Sequence, residues 1–366
     1  MVMQNIRVGI VGANLSGGLG GSWGVAAHLP ALMANPAFTV VAVATTQVET
    51  AQATASHFGI ARAYGSAAEM AMSPDIDLIC VCTRVGTHRE LVELAVAAGK
   101  HVFCEWPLGT SLDEAEGIAE KARQAGVRTM IGLQTRRAPA FAEAEALIAA
   151  GAIGSVQAVQ VMHSGPWATT MPKANSYFQL EQGGGNFTTI RGCHTIDALL
   201  AIAGPLDWVS AVGQTVCPHV SVHETGERFV RTCWDQMAIL GTATSGAMVS
   251  LQLHGGPGAA AGIRVEVAGS KGGLLIEGLP QRGVQMAALT LSTIASGGTL
   301  TAVPLREDHS SGNPMVGNVG RAYAELANAI AEGRAPRPNF EDAVMLHRVV
   351  DAIMRSAKEG RHIRLQ

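Results

Sequence analysis

The chain has 366 residues, 48% hydrophobic and 15% charged, with a net charge of −3. That length exceeds what one hydrophobic core usually supports, so two domains are expected. No Lys/Arg cluster and only 4% aromatic residues argue against a nucleic-acid partner, and the apolar runs fall far short of the roughly 20 residues a membrane span needs, so no membrane partner is expected.

The N-terminus, Met1 to Arg7, lacks the basic and then apolar pattern of a secretory leader, which points to a cytoplasmic protein. From there one unit repeats: a short β-rich run, a turn, then an alanine-rich stretch of helical periodicity. The strands are expected at Ile6–Val11, Phe38–Ala44, Asp77–Cys82, His101–Cys104 and Thr129–Leu133. Helices are expected around Gly24–Ala34, Val48–Phe58, His88–Ala98 and Leu112–Ala125. This alternation predicts a doubly wound parallel sheet, with the ligand crevice at the carboxyl ends of its strands, where Gly12, Thr45, Thr83 and Glu105 fall.

After about Ala138 the pattern changes to an α+β domain with an open, mostly antiparallel sheet. A helix at Ala140–Ala150 precedes β-rich segments at Val156–His163, Trp208–Cys217, Gln236–His254, Ile263–Ala268 and Gly273–Glu277. Further helices are expected near His194, at Val319–Ala331 and at Phe340–Ser356, while Gln281–Leu305 reads as either strand or surface loop. The expected division is a doubly wound domain over 1–137, an α+β domain over 138–338, and a C-terminal helix over 339–366 that packs back on the fold. The six cysteines, Cys80, Cys82, Cys104, Cys193, Cys217 and Cys233, lack zinc-type spacing and are read as reduced core residues, with no metal expected.

A dinucleotide turn needs glycines because the pyrophosphate approaches the backbone closely. Gly9-Ile-Val-Gly12 is followed by glycines at 17, 18, 20, 21 and 24, so the turn is an expanded loop from Gly12 to Trp23 rather than a compact fingerprint. The next strand ends in Thr45-Thr46, where a ribose-binding residue is expected. Uncharged hydroxyls there would not repel a 2′-phosphate, which favours NADP while leaving NAD possible.

Further motifs follow in order: Gly9-Ile-Val-Gly12 with His28-Leu-Pro-Ala-Leu32, Thr83 to His88 and Glu90, Ala98 to Leu108, Gly132-Leu-Gln-Thr-Arg136 with Pro139, Gly183-Gly-Gly185 with His194 and Asp197, and Asn339-Phe-Glu-Asp-Ala343. This ordered set resembles the glucose-fructose oxidoreductase, inositol dehydrogenase and rhizopine-catabolism (Gfo/Idh/MocA) family. The resemblance implies a Rossmann domain joined to an open-faced sheet domain that takes a small-molecule substrate, with dimers or tetramers formed through that sheet. The cofactor residues it implies are Gly12, Ala13, Asn14, Ser22, Trp23, Thr45, Thr46, Thr83, Arg84, His88, Glu105, Trp106, Pro107 and Gln134.

Glu105-Trp106-Pro107 departs from the family's Glu-Lys-Pro, whose lysine assists proton transfer. The Trp106 ring is expected to stack on the nicotinamide. The aspartate that usually stands four residues before the family histidine is replaced in the Thr189-Ile190 stretch. Such departures resemble a subgroup that includes fungal galactose-regulon repressors, which implies a dinucleotide-binding regulatory or sensor protein as the alternative to an oxidoreductase of carbohydrate-like or other small cyclic or polyhydroxylated alcohols or ketones. For catalysis, His194 is the expected acid/base, with Asp197 one helical turn on to orient its ring. Lys173 and Tyr177 are candidate replacements for the missing lysine, and His163 ends a strand that faces the same space.

Overall fold

The computed structural model describes residues 5–15, 22–167, 169–279, 283–305 and 312–365. The chain divides into two compact units, Met1–Leu133 with His309–His347, and Gln134–Asp308 with Arg348–Gln366.

Unit 1 is built on β1 (Ile6–Val11), β2 (Phe38–Ala44), β3 (Arg62–Tyr64), β4 (Leu78–Val81), β5 (His101–Glu105) and β6 (Thr129–Gly132). All pairings are parallel, and the strand order is β3-β2-β1-β4-β5-β6. That is the doubly wound dinucleotide-binding order, whose direction of winding reverses between β1 and β4. The sheet is nearly continuous in apolar residues because helices cover both faces. These are α1 (Leu29–Met33), α2 (Val48–Phe58), α3 (Ala67–Ala71), α4 (His88–Ala97) and α5 (Leu112–Ala125). Local signals set their ends: Ser111 Oγ caps the start of α5 at Glu114 N, and left-handed Gly59 and Gly126 close α2 and α5.

Three features of unit 1 differ from expectation. The helix expected over Gly24–Ala34 opens as a π-helical turn, Gly24–His28, before α1. β3 and α3 were not anticipated, since three and five residues are too short to show a period. The helix expected at Val319–Ala331 within the second domain belongs to unit 1. Its apolar face, with Val319, Tyr323 and Leu326, is buried in the same core as Ile10, Leu32 and Phe103.

Unit 2 begins with α6 (Pro139–Ala149) and holds β7 (Val156–Ser164), β8 (Thr170–Met171), α7 (Cys193–Ala203), β9 (Leu206–Gln214), β10 (His219–Val222), β11 (Arg228–Val230), β12 (Gln236–Ala243), β13 (Met248–His254), β14 (Gly262–Gly269), β15 (Gly273–Gly278), β16 (Leu289–Ile294) and β17 (Leu300–Ala302). α8 (Pro314–Ala331) lies in unit 1, α9 (Phe340–Glu359) is divided between the units after His347, and β18 (Ile363–Arg364) returns to unit 2. The nine-stranded sheet runs β17-β16-β15-β14-β7-β13-β12-β9-β18, antiparallel except for the β7–β13 pair. Residues of the stretch left open between strand and loop thus supply β16 and β17, while Gln281 lies outside the described residues. Alternation is clean: Ile239, Leu251 and Val265 are buried, whereas Leu240, Met248 and Val212 are exposed. A separate sheet, β11-β10-β8, carries the loops around residues 170–230.

Candidate functional site

In unit 1 the chain leaves β1 at Gly12 with φ of 90°, and a Cβ there would lie 2.4 Å from the Cys82 carbonyl oxygen, so only glycine fits. Gly24 allows the following turn to approach just as closely, since its Cβ would stand 3.0 Å from Ala13 Cα. Ser22 closes the loop: its Oγ donates to Gly12 O and accepts from Asn14 N, both at 2.9 Å, and its backbone N–H donates to Asn14 O. The glycines at 17, 18, 20 and 21 lie outside the described residues. Ser22→Ala removes two of these three bonds, and about 1–2 kcal/mol of unit-1 stability should go with them, together with part of the dinucleotide affinity. Thermal melting and a fluorescence titration with NADH check both effects; an unaltered affinity would show that the loop closure does not serve binding.

The other strand ends are also built. Thr45 Oγ1 lies 2.7 Å from Gln47 O and 2.6 Å from Thr50 Oγ1, which ties the end of β2 to α2, and Thr46 beside it is exposed. After β4, Thr83 Oγ1 accepts from Thr87 Oγ1 and Arg84 is exposed. His88 is buried with Nδ1 2.7 Å from Pro107 O and Nε2 3.1 Å from Thr83 O, and the neutral ring donates to one of these carbonyls while packing against the other. Burial outweighs these two carbonyls and lowers its pKa. Glu105 Oε1 meets His28 Nε2 at 3.0 Å, in space that exists because residue 132 is glycine: a Cβ there would fall 2.3 Å from the same oxygen. Trp106 is only 4% exposed and its ring lies 4.6 Å from that of His347. The expected stacking platform is therefore buried, with His347 of the same unit against its ring.

In unit 2, Asn186 forms a capping box with Thr189 and starts a π-helical turn, Phe187–Gly192, that runs into α7. Such widened turns often mark functional positions. His194, in the first turn of α7, is 4% exposed; its Nδ1 is buried with no hydrogen-bond partner, and burial pushes its pKa down to about 3. Asp197 does not orient this ring, contrary to expectation. Its carboxylate takes both Nε and Nη2 of Arg136, because a fixed guanidinium with two donors outcompetes a neutral imidazole.

His163 near the end of β7 is the second imidazole. Thr195 Oγ1 donates to Arg191 O at 3.0 Å, so it accepts from His163 Nδ1–H at 2.8 Å. That fixes the tautomer and leaves His163 Nε2 as a buried, unpartnered acceptor. Burial, reinforced by Arg191, pushes His163 down to about 3 as well. Arg191 donates to Gly165 O and Pro166 O and lies over the Trp167 ring, while burial pulls its own pKa to about 10. No motif marks Arg191; its signal in the sequence is a lone cation inside an otherwise uncharged run from Phe187 to Ile196.

Lys173 and Tyr177 fall in a 3-10 segment, Lys173–Gln179. Lys173 is exposed and its backbone N–H donates to Glu224, while the Tyr177 ring lies 4.1 Å from that of Phe178. The segment is anchored at its end by Gln179, whose Oε1 accepts from Arg231, itself in a fully buried ion pair with Asp235. Gln134, placed in the turn Gln134–Arg137 after β6, is buried within unit 2.

Residues 6–133 match the family model for the oxidoreductase family with NAD-binding Rossmann fold, and residues 141–275 match that for the Gfo/Idh/MocA C-terminal domain. The chain is 26% identical to the galactose/lactose metabolism regulatory protein GAL80 of Saccharomyces cerevisiae, over 97% of this chain and 93% of that protein. It is 25% identical to levoglucosan dehydrogenase of Pseudarthrobacter phenanthrenivorans, over 97% of each. A crystal structure of a super-repressor mutant of yeast Gal80p superposes with a TM-score of 0.88 at 26% identity, over 98% of this chain and 97% of that one.

Proposed function

Because the chain belongs to the Gfo/Idh/MocA family of oxidoreductases, we propose that it is an NAD(P)-dependent oxidoreductase acting on a carbohydrate-like or other small cyclic or polyhydroxylated alcohol or ketone. The observation that carries this reading is the pair of buried imidazole nitrogens without partners, His163 Nε2 and His194 Nδ1. A buried polar atom is costly unless something satisfies it, and a ligand rich in hydroxyl groups brings the donors required. Relatives bearing the names levoglucosan dehydrogenase and trans-1,2-dihydrobenzene-1,2-diol dehydrogenase support this substrate class.

The strand order, the single-residue fit at Gly12 and the closure by Ser22 suit a nicotinamide dinucleotide, to be held in unit 1 by Gly12, Ala13, Asn14, Ser22, Trp23, Thr45, Thr46, Thr83, Arg84, His88, Glu105, Trp106 and Pro107. When bound, it supplies the hydride acceptor or donor. His194 holds its ring neutral at neutral pH and accepts the substrate hydroxyl proton at Nδ1; in the reverse direction it returns it. His163 accepts a second hydroxyl at Nε2 and so orients the substrate. Lys173 and Tyr177 are the remaining candidates for passing the proton onward, since Trp106 cannot.

NADP is the favoured form of the cofactor because Thr45 and Thr46 place no carboxylate at the end of β2. Thr45→Asp should weaken NADPH several-fold more than NADH, by setting a charge against the 2′-phosphate. Parallel fluorescence titrations decide it; equal losses for the two would refute the placement of Thr45. The exposed apolar residues Val212, Leu240 and Met248 on one sheet face support a dimer or tetramer formed through unit 2.

A second reading is favoured by Trp106 in place of a lysine and by the likeness to a regulatory protein: a dinucleotide-binding sensor whose pocket binds without turnover. Titration of NADH and NADPH, followed by a screen of sugars, cyclitols and diols at the nicotinamide absorbance band, separates the two. Oxidation or reduction of the cofactor supports the enzyme; tight binding with no absorbance change across the screen supports the sensor.

A further inference from the structure

Unit 1 gathers soft donor atoms at a place the dinucleotide reading does not use. Cys80 and Cys82 alternate along β4 and its end, so both side chains leave the same face, and their Sγ atoms lie 3.4 Å apart. The His28 ring enters from the π-helical turn before α1, with Nδ1 3.4 Å from Cys80 Sγ. Tyr323 of α8 brings its hydroxyl to 2.7 Å from His28 Nδ1 and 3.0 Å from Cys80 Sγ. The ligand atoms of His28, Cys80 and Cys82 all lie within 4.8 Å of one another, and all three residues are buried.

We propose that His28, Cys80 and Cys82, with the Tyr323 hydroxyl as fourth donor, form a buried structural site for a thiophilic closed-shell cation of the Zn2+ type. The size fits. Metal–sulfur and metal–nitrogen bonds of about 2.3 and 2.0–2.1 Å around a tetrahedral centre put sulfur atoms about 3.8 Å apart and sulfur about 3.5 Å from nitrogen. The Cys80–Cys82 and Cys80–His28 pairs need to part by only a few tenths of an ångström from where they stand, and the ligand atoms of all three residues already lie within 4.8 Å of one another. Two sulfurs and an imidazole select a soft ion over Mg2+ or Ca2+, which take oxygen ligands.

The surroundings suit a ligand set. His28 Nε2 is held by Glu105 Oε1 at 3.0 Å, the carboxylate–histidine arrangement that fixes a ligating ring and strengthens it as a donor. Phe103 packs edge-on to His28 at 5.2 Å and Phe38 lies 5.3 Å from Tyr323, so aromatic walls exclude water. Four protein donors leave no open position, which makes the site structural rather than catalytic. A disulfide is the competing fate of paired thiols. Two residues apart on an extended strand, the Cα atoms are separated by about 6.6 Å, close to the far limit for a bridge.

Sequence spacing concealed this arrangement, because His28 stands 52 residues before Cys80 and Tyr323 a further 243 residues on. The proposal is independent of whether the chain turns over a substrate. Its test is the zinc content of the full chain purified under reducing conditions, together with Cd2+ addition to protein expressed in metal-depleted medium, which reports thiolate ligation through an ultraviolet charge-transfer band. One ion per chain and a Cd2+ band are expected, both lost in Cys80→Ser and Cys82→Ser and both kept in Cys104→Ser, whose buried thiol meets Glu105 O instead. Should the serine variants fail to fold, wild-type melting answers alone: Zn2+ raises the midpoint and a strong chelator lowers it. Absence of zinc, of the Cd2+ band and of any midpoint shift overturns the proposal, as does a band that persists when both cysteines are replaced.

Discussion

Acidification from pH 7.5 to pH 5 should cost the folded protein about 5 kcal/mol, well before most carboxylates titrate. Three buried imidazoles set this figure: His163 and His194 in unit 2, pushed to about 3, and His347 in unit 1, pushed to about 4, each chiefly by burial. In the unfolded chain each regains a pKa near 6.5, so below that value the unfolded state binds more protons and stability falls as pH falls. At pH 5 each ring contributes roughly 2 kcal/mol of loss, because each folded-state value lies at least a unit lower still. His28, raised to about 10 by Cys80 and Glu105 against its burial, works the other way: the unfolded chain takes up this proton between pH 7.5 and 5 while the folded chain already holds it, which offsets about 1 kcal/mol of the loss. Domain stabilities of about 5–15 kcal/mol make a loss of this size conspicuous. Melting midpoints recorded every half pH unit would peak near pH 7, fall steeply below 6.5, and decline more gently above 7 as the unfolded chain gives up the His28 proton that the folded chain keeps. A midpoint unchanged down to pH 5 would mean that these rings gain protons in the folded state, and hence that they are hydrated.

His194→Ala should lower kcat by about 10²–10⁴, the range for removing a positioned acid/base. Dinucleotide affinity should be unchanged, since His194 is not among the residues proposed to hold the dinucleotide and makes none of the bonds that shape the Gly12 turn. The ring's neutrality sharpens the expectation. With its pKa near 3 in the ligand-free protein, His194 contributes no acid limb near pH 6.5 to kcat/KM. His163→Gln should instead act mainly through KM, because an amide still offers a hydrogen-bond acceptor without a titrating group. Unchanged turnover in His194→Ala would remove its assigned role and leave Lys173 or Tyr177 to carry the proton.

The N-terminal architecture was legible because its signals are local. β1, β2, α2 and α5 have the bounds that apolar runs, turn glycines and a capping serine predict. β3 and α3 were not legible, being shorter than any period that could reveal them. The place of α8 was hidden for another reason: which core an amphipathic helix joins depends on the partner of Val319 and Tyr323, and those partners lie some 300 residues earlier.

The site divides along the same line. Gly12, Ser22 and Glu105 stand out by motif order, and local geometry accounts for the residue types, while their role toward a dinucleotide belongs to the proposal. Asp197 was assigned to the wrong partner. Helical spacing put it within reach of His194, but Arg136, on a turn 61 residues earlier, claims both carboxylate oxygens. Spacing on one element cannot reveal a competitor from another. The same reasoning explains why Arg191 and the His163–Thr195 bond were missed, since burial and tautomer follow from packing alone.

Isotope transfer tests the central claim most directly. The protein is incubated with NADP+ or NAD+ and a panel of sugars, cyclitols and diols deuterated at their carbinol carbons, and the cofactor is analysed by mass spectrometry. The account predicts one deuterium carried from a carbinol carbon to the reduced nicotinamide, suppressed in His194→Ala while the cofactor still binds. Saturating cofactor binding with no deuterium transfer from any member of the panel would contradict it, and would leave the chain a sensor.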